Sequence, residues 1–367
     1  MTLRVVVIGV GANIFASHLR GLRAVGAQIV GVQDVDAARA ERVAQEIGAP
    51  AFSHVDALLA EAADVAVVLA PHPLHAELAL ASLEAGRHVL VEKPLAVEAA
   101  EADRMIASAE RHGRLLAVAL QQRTRHEVEA AGRLIASGAL GQLQRADLLG
   151  TWPRRFAYFR TAPWRGSWRG EGGGVLINQG QHDLDLLVHL AGRPNRVVGW
   201  TRTRLQPIET EDTVQAIVEW PSGIVGAIHL STVELDEAQR IEITGTGGRL
   251  RVLPGRVEVV RNVADFREYA PSDGNPYAPP ETEPLDVISG GGAGGRHEDI
   301  YRNLERAVAG QEPLVAPASS ALATLELANA IRLSSETRAE VALPLDRAAY
   351  TDLLTRLRAT RRPAGLS

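Results

Sequence analysis

The sequence predicts an α/β fold in two parts: a doubly wound parallel sheet, then an α+β domain with a large, open, mostly antiparallel sheet. Up to residue 122, apolar strand-like runs alternate with helical patterns, which is typical of parallel sheets. Beyond it, short strand-like runs follow one another across turns, which indicates antiparallel pairing. A length of 367 residues fits two domains, which we expect at 1–122 and 123–367.

The composition excludes several classes of protein. The 39 Lys and Arg residues against 44 Asp and Glu give a net charge of −5, which favours neither nucleic acid nor an anionic membrane as a partner. Cysteine is absent, which excludes disulfides, thiolate zinc sites and a cysteine nucleophile and fits a cytoplasmic protein. No run reaches the ~20 apolar residues of a membrane span. We expect no bound metal, because no convincing ligand cluster stands out.

The first domain is built from repeated strand and helix units. The β-branched run LRVVVIGVG ends in glycines, a helical pattern follows it, and AQIVGVQDVD is the next strand. Further strands are predicted in ADVAVVLAP, RHVLVEKP and RLLAVAL, with helices between them that end at glycines. This order predicts a Rossmann-type dinucleotide-binding sheet.

The first strand-to-helix turn is the predicted cofactor site. Its glycines let the backbone approach a pyrophosphate, which the helix N-terminus stabilises. An acid at the end of the second strand, Asp34, accepts hydrogen bonds from the adenosine ribose and repels a 2′-phosphate, so NAD is favoured over NADP. A third small residue is expected at position 14, but Ile14 stands there. If the turn contains one extra residue, Ala16 would take the place of that small residue and allow the helix to pack closely. The alternative is a plain turn with a surface acid. The turn residues that we expect to contact the cofactor are Gly9, Gly11, Asn13 and Ile14.

Two later motifs carry the candidate catalytic groups. VEKP places Lys93 at a strand end on the carboxyl edge of the first sheet, where ligands bind in such folds. In GGGVLINQGQHDLDLL, three glycines lead into a predicted short strand, and Asn178, His182 and Asp185 then follow with helical spacing. His182, with an unperturbed pKa of about 6.5, is suited to act as a general base. Asp185 either supports the His182 ring or caps the helix.

Together these motifs resemble the Gfo/Idh/MocA family of oxidoreductases, named for glucose–fructose oxidoreductase and inositol dehydrogenase. The matching segments are the G-x-G turn, APHPLH, EKP and GGGVLINQGQHDLD, and RHEDIYRNLERAVAGQEPLV and TRAEVALPL match in style. The resemblance therefore spans nearly the whole chain. The N-Q pair, which follows a loop rich in Trp and Arg, is similar to a sugar-dehydrogenase branch of the family.

The resemblance implies a catalytic arrangement. Lys93 and His182 would face a sugar or cyclitol across the nicotinamide, and the Lys93–Pro94 bond would be cis. Asn178 stands where many members carry Asp, and an amide there can still orient the ring or hold a substrate hydroxyl. Arg123 matches an arginine near the substrate entrance.

The resemblance also implies further cofactor contacts around the APHPLH loop. This loop borders the cofactor ribose in the family, and its usual Asn is His72 here, which puts that contact in question. His75 matches the final histidine of the loop, with helix capping or a structural role as the alternative. The predicted contacts are Pro71, His72, His75, Glu92 and Lys93.

The loop from 152 to 169 interleaves aromatic residues with arginines. Such side chains suit a sugar site, with rings against C–H faces and Arg on hydroxyls or an acidic group. We expect Trp164 and Arg165 to contact the substrate, while a packed inter-subunit loop is the alternative.

The second predicted sheet would cover the active site with one face. Its other face would be hidden in a homodimer or homotetramer. The Pro- and Gly-rich segment 264–295 is either a surface loop or a lid.

The sequence thus predicts an NAD-dependent dehydrogenase that oxidises a secondary alcohol of a sugar, sugar derivative or cyclitol to a ketone. Two alternatives stay open, both found among relatives in the family. One is a glycoside hydrolase or lyase that oxidises its substrate transiently, and the other is a non-catalytic sugar sensor.

Overall fold

A computed structural model describes residues 2–235 and 239–359 of the chain. Within these residues the chain forms two sheets, of six and nine strands, with helices packed on them. The first sheet contains β1 (Arg4–Ile8), β2 (Gln28–Gln33), β3 (Ala51–Phe52), β4 (Val65–Val68), β5 (His88–Val91) and β6 (Leu116–Val118). Its connecting helices are α1 (Phe15–Ala24), α2 (Ala37–Ile47), α3 (Val55–Leu59), α4 (His75–Glu84) and α5 (Ala99–Arg111).

The first sheet is entirely parallel, in the order β3-β2-β1-β4-β5-β6. Strand β4 is buried along its whole length, which explains its continuous apolar sequence. The order reverses between β1 and β4, so a crevice opens beyond the carboxyl ends of these two strands. This arrangement confirms the predicted doubly wound sheet.

The second sheet is mostly antiparallel, in the order β14-β13-β12-β11-β7-β10-β9-β8-β15, and β7 and β10 form its parallel pair. Its strands are β7 (Leu143–Thr151), β8 (Arg196–Arg202), β9 (Thr213–Glu219), β10 (Val225–Ser231), β11 (Arg240–Gly245), β12 (Gly248–Leu253), β13 (Arg256–Arg261), β14 (Asp286–Ser289) and β15 (Val341–Ala342). The later helices are α6 (His126–Ala136), α7 (Phe156–Phe159), α8 (Gln181–Ala191), α9 (Phe266–Tyr269), α10 (His297–Val308), α11 (Ala318–Thr337) and α12 (Arg347–Ala359).

The two faces of the second sheet have different environments. Helices α6, α8 and α11 pack on one face, against β12, β7 and β8 respectively. Side chains of β9 alternate accordingly, with Val214, Ala216 and Val218 buried and Ile217 exposed. The open sheet agrees with the predicted fold class.

Helix α10 crosses back to the first domain and packs on α1. The close approach is at Gly21, where a Cβ atom would lie 2.7 Å from the Tyr301 ring. The prediction that Ala16 provides the close packing is wrong, because α1 begins at Phe15 and leaves Ala16 exposed. The small residue that the packing requires therefore lies one and a half turns further along the helix.

The segment 264–295 forms an edge of the second sheet. It contains α9 and β14, and β14 pairs with β13. After β14, the backbone at Gly290 and Gly294 packs against Glu127 and Thr124. Among the described helices, none combines the length and apolar character needed to cross a membrane.

Candidate active site

A cavity of about 680 Å³ lies in the crevice beyond β1 and β4. It extends from the glycine-rich turn to the loop that contains α7. No residue of the segment 264–295 lines it, so this segment is not a lid over the cavity in the structure. The predicted site residues that line it are Gly9, Gly11, Asn13, Ile14, Asp34, Pro71, His72, His75, Glu92, Lys93, Trp164, Arg165 and Asn178.

The glycine-rich turn leaves room for a dinucleotide. Gly9 has φ of 90°, and a Cβ atom there would lie 2.8 Å from the Ala70 nitrogen. The Gly11 N–H donates to Asp34 Oδ2 at 2.7 Å, and a Cβ atom on Gly11 would lie 2.8 Å from that oxygen. Glycine therefore keeps the corner beside Asp34 open. Among the described residues no side chain caps α1, although the Phe15 and Ser17 N–H groups donate to the backbone oxygens of Ala12 and Ile14. The positive end of the helix dipole therefore faces the turn, where it favours a phosphate. These residues fit the adenosine and pyrophosphate of NAD.

Glu92 is fixed by groups from distant parts of the chain. Its Oε1 accepts a hydrogen bond from His18 Nε2 at 2.9 Å, and its Oε2 accepts the Lys93 N–H at 3.1 Å. His18 Nδ1 in turn lies 2.7 Å from the Tyr301 hydroxyl, and His297 Nε2 lies 3.7 Å from Glu92 Oε1. Burial raises the pKa of Glu92, but the hydrogen bond from His18, the nearby His297 ring and the Lys93 charge outweigh it and hold that pKa well below the usual range. Glu92 is thus an anion beside Lys93.

Lys93 carries the cation of the site. Its Nζ donates to the Asn178 backbone oxygen at 3.1 Å and lies 3.4 Å from Asn178 Oδ1. The Lys93–Pro94 bond is cis, as expected. Burial lowers the pKa of Lys93, while the charges of Glu92 and Glu171 raise it. The ammonium therefore lies between two acids, at the wall of the cavity.

Asn178 lies in a tight turn, after the segment that the sequence predicts as a short strand. The Asn178 N–H donates to Gly174 O, and the Gly180 N–H donates to Val175 O. Glu211 accepts the N–H groups of Gly174 and Leu176, which coils this glycine-rich segment into turns, so the strand prediction is wrong. The turn leads directly into α8 and places Asn178 opposite Lys93.

A polar network surrounds the Asn178 side chain. Asn178 Nδ2 donates to Glu171 Oε1 and lies 3.2 Å from the Tyr158 hydroxyl. Arg165 Nη1 donates to the same hydroxyl at 2.5 Å, and its guanidinium stacks 4.4 Å from the centres of the Tyr158 and Trp164 rings. The loop thus brings a phenol, a guanidinium and an indole to one end of the cavity.

His182 lies in the first turn of α8 and does not line the cavity. Its Nδ1 is buried without a hydrogen-bond partner among the residues that the structure describes. Burial lowers the pKa of His182 to about 4, and the nearby Lys93 charge acts in the same direction, while Glu92 and Asp185 oppose it. The imidazole is therefore neutral at physiological pH and able to accept a proton.

Arg123 and Asp185 form a buried ion pair with each other. Arg123 Nη2 lies 2.6 Å from Asp185 Oδ1, and its Nε lies 2.7 Å from Oδ2. Arg123 also donates to Val315 O and Ser320 Oγ, and Thr324 donates to Asp185. This corrects three expectations: Arg123 is not at the substrate entrance, and Asp185 neither bonds to the His182 ring nor caps the helix. A buried guanidinium needs a partner for its donors, and Asp185 provides it.

His72 and His75 bind backbone rather than each other. His72 Nδ1 lies 3.2 Å from Glu171 O, and burial lowers its pKa well below the ordinary value. His75 lies between Pro94 O and Ala70 O, at 2.7 and 2.8 Å. Burial lowers the pKa of His75, while the two carbonyl oxygens that its ring contacts raise it. His75 thus ties the turn after β4 to the EKP motif.

Several residues of the site carry no sequence signal that singles them out. Arg39 lines the cavity from α2, beside Asp34. Glu171 lies in an irregular loop, and His18 and His297 are 279 positions apart in the sequence. The aromatic and Arg pattern of the loop is the signal that could have identified Tyr158. The residues that the sequence reasoning missed are His18, Arg39, Tyr158, Glu171 and His297.

Comparisons with known proteins extend this description. A family model described as the oxidoreductase family with an NAD-binding Rossmann fold matches residues 3–120. A second model, described as the GFO/IDH/MocA C-terminal domain, matches residues 128–251.

Among individual proteins, trans-1,2-dihydrobenzene-1,2-diol dehydrogenase from Mus musculus is 29% identical over 282 residues, which are 74% of this chain and 81% of that protein. Inositol 2-dehydrogenase 3 from Saccharopolyspora erythraea is 39% identical over 145 residues, 38% of this chain and 43% of that protein.

Among solved structures, the WlbA dehydrogenase from Bordetella pertussis, in complex with NADH and UDP-GlcNAcA, is 26% identical. The match covers 94% of this chain and all of that chain, with a TM-score of 0.80. Both domains are therefore matched, and the glycine-rich turn with Asp34 fits the cofactor that the family model describes. The chain belongs to the GFO/IDH/MocA family of NAD-binding oxidoreductases.

Proposed function

We propose that this protein oxidises a secondary hydroxyl of a sugar, sugar derivative or cyclitol to a ketone, with NAD as the oxidant. One observation carries the proposal. A single cavity is lined at one end by the glycine-rich turn and Asp34, and at the other by Lys93, Asn178, Tyr158 and Arg165. The first set suits a dinucleotide, and the second offers a cation and hydrogen-bonding groups to an alcohol oxygen.

In the proposed reaction, each protein group has a separate task. NAD, when bound, accepts the hydride that leaves the substrate carbon. Lys93 stabilises the negative charge that develops on the substrate oxygen, since two of its donor directions are used by Asn178 and the third remains for substrate. His182, whose ring is neutral and lies behind the cavity lining, takes the hydroxyl proton through a water molecule. Asn178 positions the hydroxyl and the ammonium.

We propose NAD rather than NADP because of the charge at the ribose end. Asp34 Oδ2 accepts the Gly11 N–H, and Oδ1 accepts the Asp36 N–H at 3.0 Å. The carboxylate is therefore held where the ribose hydroxyls approach, and a 2′-phosphate would be repelled. Arg39 lies nearby but within 3.6 Å of Asp36, which offsets its positive charge.

The substrate class follows from the loop and from the relatives. Trp164 offers an apolar face, and Arg165 offers a cation to hydroxyl or carboxylate groups. The relatives named above act on or bind a dihydrodiol, an inositol and a nucleotide-linked sugar acid, as their names state. Neutral sugars, cyclitols and sugar acids are therefore the compounds to test.

We also propose a homodimer or homotetramer that forms through the uncovered face of the second sheet. Trp200, Ile217 and Val225 on this face are each about half exposed, at 50%, 48% and 47%. They lie on the neighbouring strands β8, β9 and β10. An exposed apolar sheet face of this kind is typical of an interface.

The test is a panel of sugars, cyclitols, uronic acids, nucleotide sugars and glycosides, each assayed with NAD and with NADP. The absorbance of NADH and the products are recorded together. We expect net NADH and a keto product with at least one compound, and a preference for NAD. Free sugar without net NADH would instead indicate a hydrolase or lyase that oxidises transiently, and sugar binding without any NADH would indicate a sensor.

A further inference from the structure

We propose that Glu171 supplies the active-site carboxylate that position 178 lacks, acting through the Asn178 amide as a positioning residue for Lys93. The inference rests on the proposed function and names a residue that the sequence motifs do not contain. Glu171 is 1% exposed and lies in the loop between α7 and the turn that carries Asn178. It approaches the site from the side of Asn178 opposite Lys93.

The contacts of Glu171 determine which way the amide faces. Its Oε2 accepts the Gly166 N–H at 2.6 Å, and its Oε1 faces Asn178 Nδ2. An ionised carboxylate can only accept, so it binds the NH₂ group of Asn178 and leaves the amide oxygen on the other side. That oxygen lies 3.4 Å from Lys93 Nζ. A carboxylate at 171 thus turns an acceptor toward the catalytic ammonium.

The charges explain why asparagine, rather than aspartate, suits position 178 here. An aspartate at 178 would place a second carboxylate in contact with Glu171 inside the protein, where two like charges are costly. With the amide, one negative charge remains, and its burial next to Lys93 keeps the interaction strong. The acid that many family members carry at position 178 is therefore provided here by Glu171, whose side chain contacts that of Asn178.

The charged and titratable groups that face Glu171 are few. Arg165 Nη1 lies 3.9 Å from its Oε1, Lys93 interacts through its charge, and His72 contacts its backbone oxygen. Burial raises the pKa of Glu171 above its usual value, and the bonds from Gly166 and Asn178 and the two cations offset only part of that rise. The negative charge of Glu171 raises the pKa of Lys93, so loss of that charge is expected to lower it.

The experiment exchanges the two functional groups. The variants are Glu171→Gln, Asn178→Asp and the double exchange, with Glu209→Gln as a matched control. Glu209 accepts the Trp168 N–H in the same loop but does not contact Asn178 or Lys93 among the described residues. The turnover rate of each variant is measured against pH with the best substrate of the panel.

We expect Glu171→Gln to lower kcat by about tenfold or more with little change in the KM for NAD, because Lys93 is misplaced. The alkaline limb of its pH profile should move to lower pH, because the neighbouring negative charge is gone. Asn178→Asp should lose activity and recover part of it at lower pH, when one carboxyl is protonated. The double exchange should recover to within about threefold, with its alkaline limb above that of the wild type because the charge lies closer to Lys93.

If Glu171 only holds the loop in place and does not position Lys93, the result would be different. Glu171→Gln would then resemble Glu209→Gln in kcat and in pH profile, and that outcome would overturn the proposal. Failure of the double exchange to recover would overturn it as well.

Denaturant unfolding of the same variants gives a readout that needs no substrate. We expect the double exchange to be more stable than the sum of the single effects predicts, since the amide and carboxylate face each other again. Additive effects would contradict the pairing of 171 with 178. If the wild type oxidises nothing in the panel, the proposed function fails, while this unfolding cycle still decides whether the pairing exists.

Discussion

At the residue scale, burial keeps the His182 ring in its neutral form, which can accept a proton. Its ring makes no hydrogen bond to any residue that the structure describes, and Lys93 adds a positive charge nearby. Burial disfavours the imidazolium most, and the Lys93 charge adds to this effect, so the pKa of His182 falls to about 4. The ring therefore stays neutral over the whole physiological range, and in the proposed reaction it would carry the substrate proton only briefly before passing it to water.

The pH dependence of kcat/KM tests this state of His182. The base form is present above the lowered pKa, so oxidation should show no acid limb near pH 6.5 and should fall about tenfold per unit only below about pH 4. Steady-state rates after brief exposure to each pH measure this, with recovery of activity at neutral pH as the control for unfolding. An acid limb centred at an ordinary histidine pKa would contradict the account.

At the element scale, the contact between α1 and α10 depends on one missing side chain. Gly21 lets α1 approach the Tyr301 ring and the backbone at His297. This contact also holds His18 and Tyr301 within hydrogen-bond distance, and His18 in turn fixes Glu92. The packing of α1 on α10 therefore helps to fix the position of Glu92, the residue before Lys93.

Two glycine-to-alanine substitutions distinguish the effect of this tight packing on stability from the effect of helix propensity. Gly21→Ala should lower the free energy of unfolding by about 1–3 kcal/mol, since its Cβ would lie 2.7 Å from the Tyr301 ring. Gly132→Ala in α6, where a Cβ atom would lie 3.9 Å from a Leu190 methyl group, should instead leave the free energy of unfolding unchanged or raise it by up to about 1 kcal/mol. Urea unfolding of both variants measures the difference. Equal effects would show that the helix contact is not tight.

The sequence predicts those parts of the site that local patterns encode. Gly9, Gly11 and Asp34 follow from a strand, a turn and a strand end, and Lys93 follows from another strand end. The partners of Arg123 and the position of Glu171 depend instead on contacts between distant segments. Asp185 is 62 positions from Arg123. Neither the periodicity of apolar residues nor the propensity for helix or strand indicates which distant residues form such pairs.

The predictions of individual elements are wrong where contacts between distant segments outweigh the local preference for a helix or a strand. The run from Val175 to Ile177 has the apolar character of a strand, but Glu211 accepts the N–H groups of Gly174 and Leu176, and the segment forms turns. Helix α1 likewise begins at Phe15 and buries Phe15, His18 and Leu22, which leaves Ala16 on the exposed side.

At the scale of the whole molecule, one face of the second sheet supports the site and the other is uncovered. The covered face packs on α8, whose first turn carries His182. The uncovered face presents apolar side chains on β8, β9 and β10. The proposed interface would therefore lie on the far side of the sheet from the helices.

Charge placed on the uncovered face should separate the proposed subunits. We expect the double substitution Ile217→Lys with Val225→Lys to give a monomer, because two buried ammonium groups per subunit would be desolvated. Light scattering after gel filtration measures the mass, and Val263→Lys, at a position that is 60% exposed outside the sheet, is the control. A monomeric wild type, or an unchanged mass in the double variant, would contradict the interface.

The central claim is that Lys93 and His182 perform the chemistry while other residues bind NAD. The most direct measurement is the single-turnover rate of NADH formation, with the best substrate of the panel, in Lys93→Ala and His182→Ala. The account predicts a rate at least about 100-fold lower in each variant, with NADH binding, followed by fluorescence titration, close to that of the wild type. Rates like that of the wild type in both variants would contradict it.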